Sequence, residues 1–296
     1  MILPFAALLL AAVSCSDWTE METVDNTVSK PWEQDPALWA DYTAALRAYK
    51  QSEHYLSYAR LYNSPAQATS EQDFMRCLPD SLDIVTLTNA DNFSAYDAED
   101  MEVMREKGTR VLYQVDYAGR KAEFADAAAL KTYLDGVIAA VAAHGLDGYS
   151  FTADPLDAAA TASIVATLSA AKTDGQLLVF EGNPLSVAAA DRDKLDYVVL
   201  DTEKAENTTD VRLQVLNATG YAGIPANRLL LAAEIDAPLQ DADRTEYAAV
   251  ALMARCVVEY GPLAGFAAYN IAGDYYHADR NYSTIRAAIQ TLNPSK

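Results

Sequence analysis

The hydrophobic positions of the chain form two alternating patterns: short continuous apolar runs, and longer Ala-rich stretches with amphipathic periodicity. The first pattern predicts strands buried on both faces, and the second predicts helices. The predicted strands span residues 55–62, 84–89, 110–117, 148–152, 177–181, 197–202, 229–235 and 265–270. The clearest helices are predicted over residues 125–144, 158–172, 211–221 and 244–260.

Eight strands separated by helices predict a parallel sheet with helices on its outside. Eight such units over about 250 residues are typical of a closed (β/α)8 TIM barrel, so we predict a single barrel domain over residues 37–296. The alternative is an open doubly wound sheet, which normally has a Gly-rich phosphate-binding turn after its first strand. Here the first strand ends in RLYNSP, without glycine, and this favours the barrel.

Composition narrows the classes of partner. Half of the 296 residues are hydrophobic, which is enough for a large core, and the formal net charge is −20. This charge argues against nucleic acid, which requires a basic surface, and against electrostatic docking to an anionic membrane. A neutral, hydroxyl-rich glycan is compatible with the charge, although acidity alone also serves solubility.

The first residues resemble an export signal. Residues 1–13 are almost wholly apolar but too few to span a bilayer, and they run into AVSC, which ends at Cys15. Small residues followed by Cys resemble a bacterial lipobox. The resemblance implies a lipoprotein signal peptide over residues 1–14 and lipidation of Cys15. The alternative is an ordinary secretory signal with an incidental Cys.

The segment after Cys15 favours a surface location. Its acidic sequence SDWTEME is similar to the surface-export signal of Bacteroidetes lipoproteins. Residues 15–36 are polar and lack periodicity, so we predict a flexible tether. The expected location is therefore the cell surface, with a lipid anchor in the outer membrane and no other membrane contact.

Cysteine and histidine give no sign of a metal or cofactor. Cys77 and Cys256 fall in predicted helices on opposite halves of the chain, so two buried free thiols are expected, with a disulfide left open. The three histidines are scattered, and no Cys/His cluster has metal-ligand spacing.

Candidate chemistry lies at the strand ends, because barrel active sites form at the carboxyl ends of the strands. The residues there are acidic and rich in tyrosine, whose faces stack on sugar rings while carboxylates and amides bind hydroxyls. Any one of them could instead be a packing residue, a helix cap or part of a rim ion pair. The candidate substrate-binding residues are Tyr58, Tyr113, Gln114, Asp116, Tyr149, Glu181, Asp201, Glu234, Tyr269 and Asn270.

The fourth strand with its lead-in, AAHGLDGYSFTADP, resembles glycoside hydrolase family 18, which includes chitinases and endo-β-N-acetylglucosaminidases. The family motif there is D-G-x-D-x-D-x-E, and Asp147 and Gly148 match its first two positions. Ser150 and Thr152 stand where the two inner Asp residues belong, and Asp154 stands where the catalytic Glu belongs. GTRVLYQVDY on the third strand and GFAAYNIAGDYY on the eighth are also similar to the family. Together with the leader, these motifs resemble Bacteroidetes lipoproteins encoded with glycan-uptake systems.

The resemblance implies a substrate-assisted mechanism, in which the Glu protonates the glycosidic oxygen and the neighbouring Asp supports the substrate's acetamido group. Asp154 is shorter than Glu by about 1.5 Å, and a misplacement near 1 Å can cost about 100-fold in rate. Thr152 carries no charge for the developing oxazolinium ion, a loss of about 100- to 1000-fold. Ser150 removes the remaining inner charge, so the sequence predicts severely impaired hydrolysis.

Three functions follow from these departures. The first is a monomeric, catalytically impaired protein that binds N-acetylglucosamine-containing glycans such as N-glycans, working with an outer-membrane glycan-uptake system. The second is an active endo-β-N-acetylglucosaminidase with Asp154 as general acid, helped by Glu181, Asp201 or Glu234. The third is a structural or protein-binding lipoprotein that kept the fold and lost the groove.

Overall fold

A computed structural model describes residues 30–68 and 70–294. The predicted signal peptide and the lipidation site Cys15 lie outside the described residues. The chain divides into two compact units, residues 1–40 and residues 41–296. In the first unit, the described end of the predicted tether contains helix α1 (Pro31–Gln34) and the start of helix α2 (Pro36–Gln51), with the rings of Trp32 and Trp39 5.8 Å apart.

The second unit is a closed barrel of eight parallel strands. The barrel strands are β1 (Leu56–Leu61), β2 (Ile84–Leu87), β3 (Arg110–Val115), β4 (Gly148–Phe151), β5 (Leu177–Glu181), β6 (Tyr197–Leu200), β7 (Leu229–Glu234) and β10 (Gly265–Tyr269). Each strand pairs with the next along the chain, and β10 closes the ring against β1. The predicted (β/α)8 TIM barrel and its eight strands are therefore confirmed.

Helices surround the barrel, but not after every strand. The helices that follow α2 are α3 (Ala95–Lys107), α4 (Tyr117–Arg120), α5 (Ala127–His144), α6 (Ala158–Ala171), α7 (Thr208–Leu216), α8 (Ala249–Glu259) and α9 (Ser283–Leu292). The connections from β1 to β2 and from β5 to β6 contain short 3₁₀ turns instead of an α-helix. Helix α5 shows why the periodic segments were easy to predict, since Asp126 caps its first turn and Gly145, at φ 63°, ends it.

One predicted helix begins too early. The sequence predicts a helix from residue 244, whereas Glu246–Ala248 forms strand β9, paired antiparallel with β8 (Pro238–Gln240), and α8 begins at Ala249. The reason is a turn nucleated by Asp241, whose carboxylate accepts hydrogen bonds from the backbone N–H groups of Asp243 and Thr245 at 2.9 Å. The predicted 211–221 helix is divided similarly, because α7 ends at Leu216 and a π-helical turn follows over Asn217–Tyr221.

The barrel strands have two differently packed faces. Outward residues pack against the helices in a large core, whereas the lumen contains a smaller apolar cluster that includes Ile84, Leu112, Val179 and Leu230. Successive residues of a strand point to opposite faces, so side chains at every second position line the lumen. Towards the carboxyl ends of the strands these lumen positions become polar, and that is where a site can form.

The amino ends of three pairs of neighbouring strands are joined by the same kind of hydrogen bond. Asp83, Asp147 and Asp196 each precede an even-numbered strand and accept a hydrogen bond from a backbone N–H of the strand before it. The donors are Ser57 at 2.8 Å, Val111 at 2.8 Å and Leu178 at 2.7 Å. Each carboxylate thus satisfies a buried donor at the base of the barrel.

Two further findings bear on the sequence predictions. Cys77 and Cys256 are free thiols, Cys256 buried and Cys77 half-buried, and burial raises the pKa of both to about 11. Among the described residues, none of the helices has the length and apolarity needed to cross a membrane.

Candidate functional site

Strand β4 divides the family-18-like motif between its two ends. Asp147 holds the amino end of β3 by its bond to Val111, and its neighbour Gly148 has φ 131°. A Cβ atom at Gly148 would lie 2.1 Å from the carbonyl oxygen of Leu177, so no other residue fits there. The two motif positions that match the family therefore belong to the barrel's construction.

Ser150 lies inside the barrel and is fully buried. Its hydroxyl is 2.6 Å from that of Thr86 on β2, and either oxygen can donate. The two hydroxyls satisfy each other across the lumen, between strands that flank β3. At this position a neutral, hydrogen-bonded hydroxyl replaces the motif's first inner carboxylate.

Thr152 follows β4 and pairs with Asp116, the residue after β3. Its hydroxyl donates to the Asp116 carboxylate at 2.7 Å and accepts from the Ala118 backbone N–H at 3.0 Å. The structure thus brings two predicted site residues together. Their contact fixes the loop after β3, and the Thr152 hydroxyl is already occupied by two partners.

Asp154 is held in its ionised form. Its carboxylate accepts from Lys121 Nζ at 2.8 Å and from the Leu156 backbone N–H at 2.8 Å. The hydrogen bond from Lys121, followed by the backbone bond, lowers the pKa of Asp154 below its usual value. A general acid needs the opposite shift, because it must keep its proton near neutral pH.

A second carboxylate, Glu181, forms the centre of a polar cluster in the lumen. Its side chain is fully buried at the carboxyl end of β5. Arg60 Nε donates to it at 2.6 Å, Gln114 Nε2 at 2.9 Å and the Tyr58 hydroxyl at 3.1 Å. The structure therefore brings together three of the predicted substrate-binding residues, with Arg60 as counter-ion.

Tyr269 and Glu203 are two further residues near this cluster. The guanidinium carbon of Arg60 lies 3.6 Å from the Tyr269 ring centroid, a cation–π contact. Glu203, just after β6, has a buried Oε2 atom without a hydrogen-bond partner among the described residues. Burial is the main cause that raises the pKa of Glu203. Glu203 therefore holds its proton better than an ordinary glutamate.

Two predicted binding residues require correction. Tyr113 and Tyr149 are 3% and 1% exposed and belong to the core between strands and helices. Each is adjacent to a lumen residue, Gln114 or Ser150, and neighbouring residues of a strand face opposite sides. The Tyr113 hydroxyl donates to Asp91 outside the barrel. Neither tyrosine reaches the lumen cluster.

The remaining predicted residues lie at the rim. Asp201 precedes a 3₁₀ turn and its carboxylate is 4.0 Å from Lys204 Nζ. Glu234 ends β7 in register with Tyr269. Asn270 is exposed and adopts the left-handed conformation at φ 55°, where asparagine is tolerated.

Two exposed tyrosines complete the rim. Tyr62 follows β1 and Tyr276 lies beyond β10, and these strands are paired neighbours. Their exposed fractions are 59% and 69%. Tyr276 is supported from below by the ring of Tyr275, edge-on with centroids 4.8 Å apart.

Three residues of the site were absent from the predicted set. Arg60 and Glu203 could have been found from alternation, since Arg60 is two positions beyond Tyr58 on the same strand face. Lys121 had no signal, because it is 33 residues from Asp154 in sequence and meets it only through adjacent loops. In the described ranges, no group of three or more His, Cys, Asp or Glu side chains is arranged to hold a metal ion.

The family comparison agrees with the resemblance found in the sequence. The model of "Glycoside hydrolase family 18, BT1044-like" matches residues 19–135, which is less than half of the chain and ends before β4. The match thus rests on a different segment from the strand-4 motif, and the predicted resemblance to glycoside hydrolase family 18 is confirmed. No curated protein matches the sequence.

Solved structures share the barrel at low sequence identity. A variant of BT1044 aligns with TM-score 0.70 and 16% identity, covering 90% of this chain and 96% of that chain. An endo-β-N-acetylglucosaminidase from Cordyceps militaris has TM-score 0.66 and 16% identity, covering 86% and 96%. A chitinase from Bacteroides thetaiotaomicron has TM-score 0.62 and 12% identity, covering 81% and 97%. At these identities the likeness establishes the fold.

Proposed function

We propose that this protein binds N-acetylglucosamine-containing glycans, such as N-glycans or chitooligosaccharides, at the carboxyl end of its barrel without hydrolysing them efficiently. The observation that carries the proposal is the state of Asp154. The only acidic group at the three chemical positions of the motif is bound to Lys121, and its pKa is lowered. Ser150 and Thr152 supply no charge, and their hydroxyls are paired with Thr86 and Asp116.

The rim retains features that bind sugars. Tyr62 and Tyr276 follow strands β1 and β10 and are exposed, and a cluster of carboxylate, amide and guanidinium groups lies at the carboxyl ends of the strands. Aromatic rings stack on the apolar faces of sugars, and the polar groups bind hydroxyls. These exposed rings favour a glycan-binding mouth over a barrel that has lost its groove.

Calorimetric titration with N-glycans and chitooligosaccharides tests binding. Replacing both Tyr62 and Tyr276 by alanine is expected to weaken binding about tenfold, since aromatic contacts contribute roughly 0.5–1.5 kcal/mol each. Tyr221→Ala is the matched control, because Tyr221 is 81% exposed in the turn after α7, away from the rim. Equal loss in the control, or no binding by the unmodified protein, contradicts the proposal.

Mass spectrometry of the same mixtures tests the impairment. We expect the glycans to remain intact over hours of incubation. Release of oligosaccharide that disappears in Asp154→Ala would show that Asp154 acts as an acid despite Lys121. The proposal that the protein does not hydrolyse glycans efficiently would then be wrong.

A second candidate function is hydrolysis with a relocated proton donor. Glu203 favours it, because its pKa is raised by burial and its Oε2 atom has no partner in the described part of the chain. Residual hydrolysis lost in Glu203→Gln but kept in Asp154→Asn would establish this function. Hydrolysis kept in both variants would exclude it.

We also propose that the protein is a lipoprotein of the outer-membrane surface, anchored through Cys15 and delivering glycans to an uptake system. The AVSC sequence and the acidic segment after it support this. Cys15→Ala should release the protein from the membrane fraction of expressing cells, and protease treatment of intact cells should degrade the unmodified protein only if it faces outward.

A further inference from the structure

A basic cavity opens at the amino ends of the barrel strands, opposite the glycan-binding end. Its volume is about 590 Å³, within the range of about 300–1,000 Å³ typical of small-ligand pockets. It lies between the starts of β3, β5, β6 and β7 and the end of α6. Its lining is Arg110, Ser169, Lys172, Leu177, Asp193, Lys194, Leu195, Asp196, Tyr197, Asn227 and Arg228.

The charge of this cavity is opposite to that of the chain. Four of the 22 lysines and arginines line it, against two aspartates, although the whole chain has a net charge of −20. Charges separated by more than about 8 Å are largely screened at physiological salt. An anion in the cavity therefore responds to the local cations, whereas the protein as a whole does not attract anions.

The two lysines are already neutralised. Lys172 Nζ is 2.7 Å from Asp196, and Lys194 Nζ is 2.7 Å from Asp191. Asp196 also accepts the Leu178 backbone N–H at the base of β5, so its position is fixed by the barrel. Each lysine is thus paired with one carboxylate, and Arg110, Arg228 and Asp193 are the charged lining residues outside these two pairs.

The two arginines keep their charge. Arg110 NH1 donates to the carbonyl oxygen of Gly175 at 3.1 Å, and Arg228 NH1 donates to that of Leu195 at 3.4 Å. Neither guanidinium forms an ion pair within residues 30–68 and 70–294. Each carries further N–H donors in a planar fork that matches carboxylate, sulfate and phosphate oxygens. The charge of Arg110 acts to lower the pKa of Asp147 against the larger effect of burial, and the Asp147 carboxylate already accepts the Val111 N–H.

Tyr197 lines the same cavity as the two arginines. It begins β6 and is half-buried in the cavity, and both Arg110 and Arg228 act to lower the pKa of its hydroxyl against the larger effect of burial. The hydroxyl and both guanidinium groups therefore belong to the lining of one cavity. The Tyr197 hydroxyl can donate a hydrogen bond to a ligand that the two guanidinium groups bind.

We propose that this cavity binds an oxyanion group, a sulfate, phosphate or carboxylate carried by a ligand of one or two sugar rings, between Arg110 and Arg228. This site is independent of the glycan-binding mouth and does not rest on the proposed function. Two kinds of ligand present such an oxyanion, a free inorganic ion and an acidic sugar.

Titration calorimetry with sulfate, inorganic phosphate, glucuronic acid and N-acetylglucosamine 6-sulfate, at physiological ionic strength set with sodium chloride, tests the site. We expect one saturable site per chain for at least one of these anions and none for neutral N-acetylglucosamine at this cavity. Equal affinity for sulfate and the sulfated sugar identifies a free-ion site. Tighter binding of the sugar identifies an acidic-sugar site, and no binding of any anion overturns the proposal.

The double variant Arg110→Gln/Arg228→Gln should weaken anion binding at least about tenfold, because each charge-assisted hydrogen bond that it removes is strong. The control Lys131→Gln/Arg212→Gln removes the same charge from exposed helix positions outside the cavity. An equal effect of the two double variants would show that only net charge matters and would overturn the proposal.

Tyr197→Phe provides a test that does not depend on the folding of the double variant. It removes one hydroxyl and keeps the ring in place. We expect weaker anion binding with an unchanged thermal midpoint in the absence of ligand, and unchanged anion affinity would contradict a site between the arginines.

Discussion

The two ends of strand β4 differ in what their residues do. At the amino end, Asp147 and Gly148 are shaped by the barrel, since one satisfies a backbone donor and the other makes room for Leu177. At the carboxyl end, Ser150 and Asp154 have side-chain partners from other strands and loops, Thr86 and Lys121. The amino end of β4, which stabilises the fold, matches the family motif. The carboxyl end, where the family's chemistry takes place, departs from it. A partly matching motif can therefore indicate a shared fold without a shared reaction.

The largest expected loss of stability is at the amino end of β4. Gly148→Ala places a Cβ atom 2.1 Å from a backbone oxygen at φ 131°, and it should destabilise the protein by more than about 4 kcal/mol or prevent folding. Denaturant unfolding measures it. The control is Gly136→Ala in α5, where nothing lies within 4 Å of the added methyl, and a gain of up to about 1 kcal/mol is expected.

The next effect is in the lumen cluster. Arg60→Met leaves the fully buried Glu181 without its counter-ion, which typically costs about 3–5 kcal/mol. Arg60→Met combined with Glu181→Met should be less destabilised than Arg60→Met alone, because no buried charge remains. If the double variant is the less stable of the two, packing and not charge holds this cluster together.

A smaller, pH-dependent effect is expected at Glu203. The pKa of Glu203 is raised in the folded state. Below about pH 4, where Glu203 is protonated in both the folded and the unfolded state, it does not lower the free energy of unfolding. As the pH rises through the unfolded and then the folded pKa, the cost of the buried charge appears and persists. Glu203→Gln should therefore be more stable than the unmodified protein at pH 7 and equal to it in acid. Thermal unfolding across this pH range measures the difference, and a pH-independent one would contradict the raised pKa.

The smallest effect is expected at Asp154. Asp154→Asn breaks a solvent-screened ion pair with Lys121, and such pairs contribute little to stability. Its lowered pKa gives the opposite pH dependence, because this stabilisation is present above the unfolded pKa and is lost as the pH falls through the folded one. A large loss of stability at neutral pH would show that Asp154 stabilises the fold, as Asp147 and Gly148 do.

Most of the fold was predictable because barrel strands are buried on both faces. Such strands leave continuous apolar runs, and all eight were located within a few residues of their ends. Elements that depend on local turn chemistry were harder to predict. Strand β9 of the β8–β9 hairpin was predicted as the first turn of α8, since the side-chain bonds of Asp241 are not visible in a hydrophobic pattern.

The site was predictable only in part. Tyr58, Gln114 and Glu181 were identified from their positions at strand ends, and they meet in the lumen. Tyr113 and Tyr149 were predicted for the same reason, although each precedes a lumen residue and must face outward. Knowing the phase of each strand separates the two groups, whereas a strand-end rule does not.

The sequence by itself determined the barrel, the order of its strands and the likeness of its fourth strand to a family of sugar hydrolases, because apolar periodicity and a local motif are properties of neighbouring residues. Only the tertiary structure decided the state of the chemistry. Lys121 favours the ionised form of Asp154, Arg60 neutralises Glu181, and burial raises the pKa of Glu203. Each of these depends on distances between residues far apart in the chain, and the balance between charge and burial there sets which groups can donate a proton.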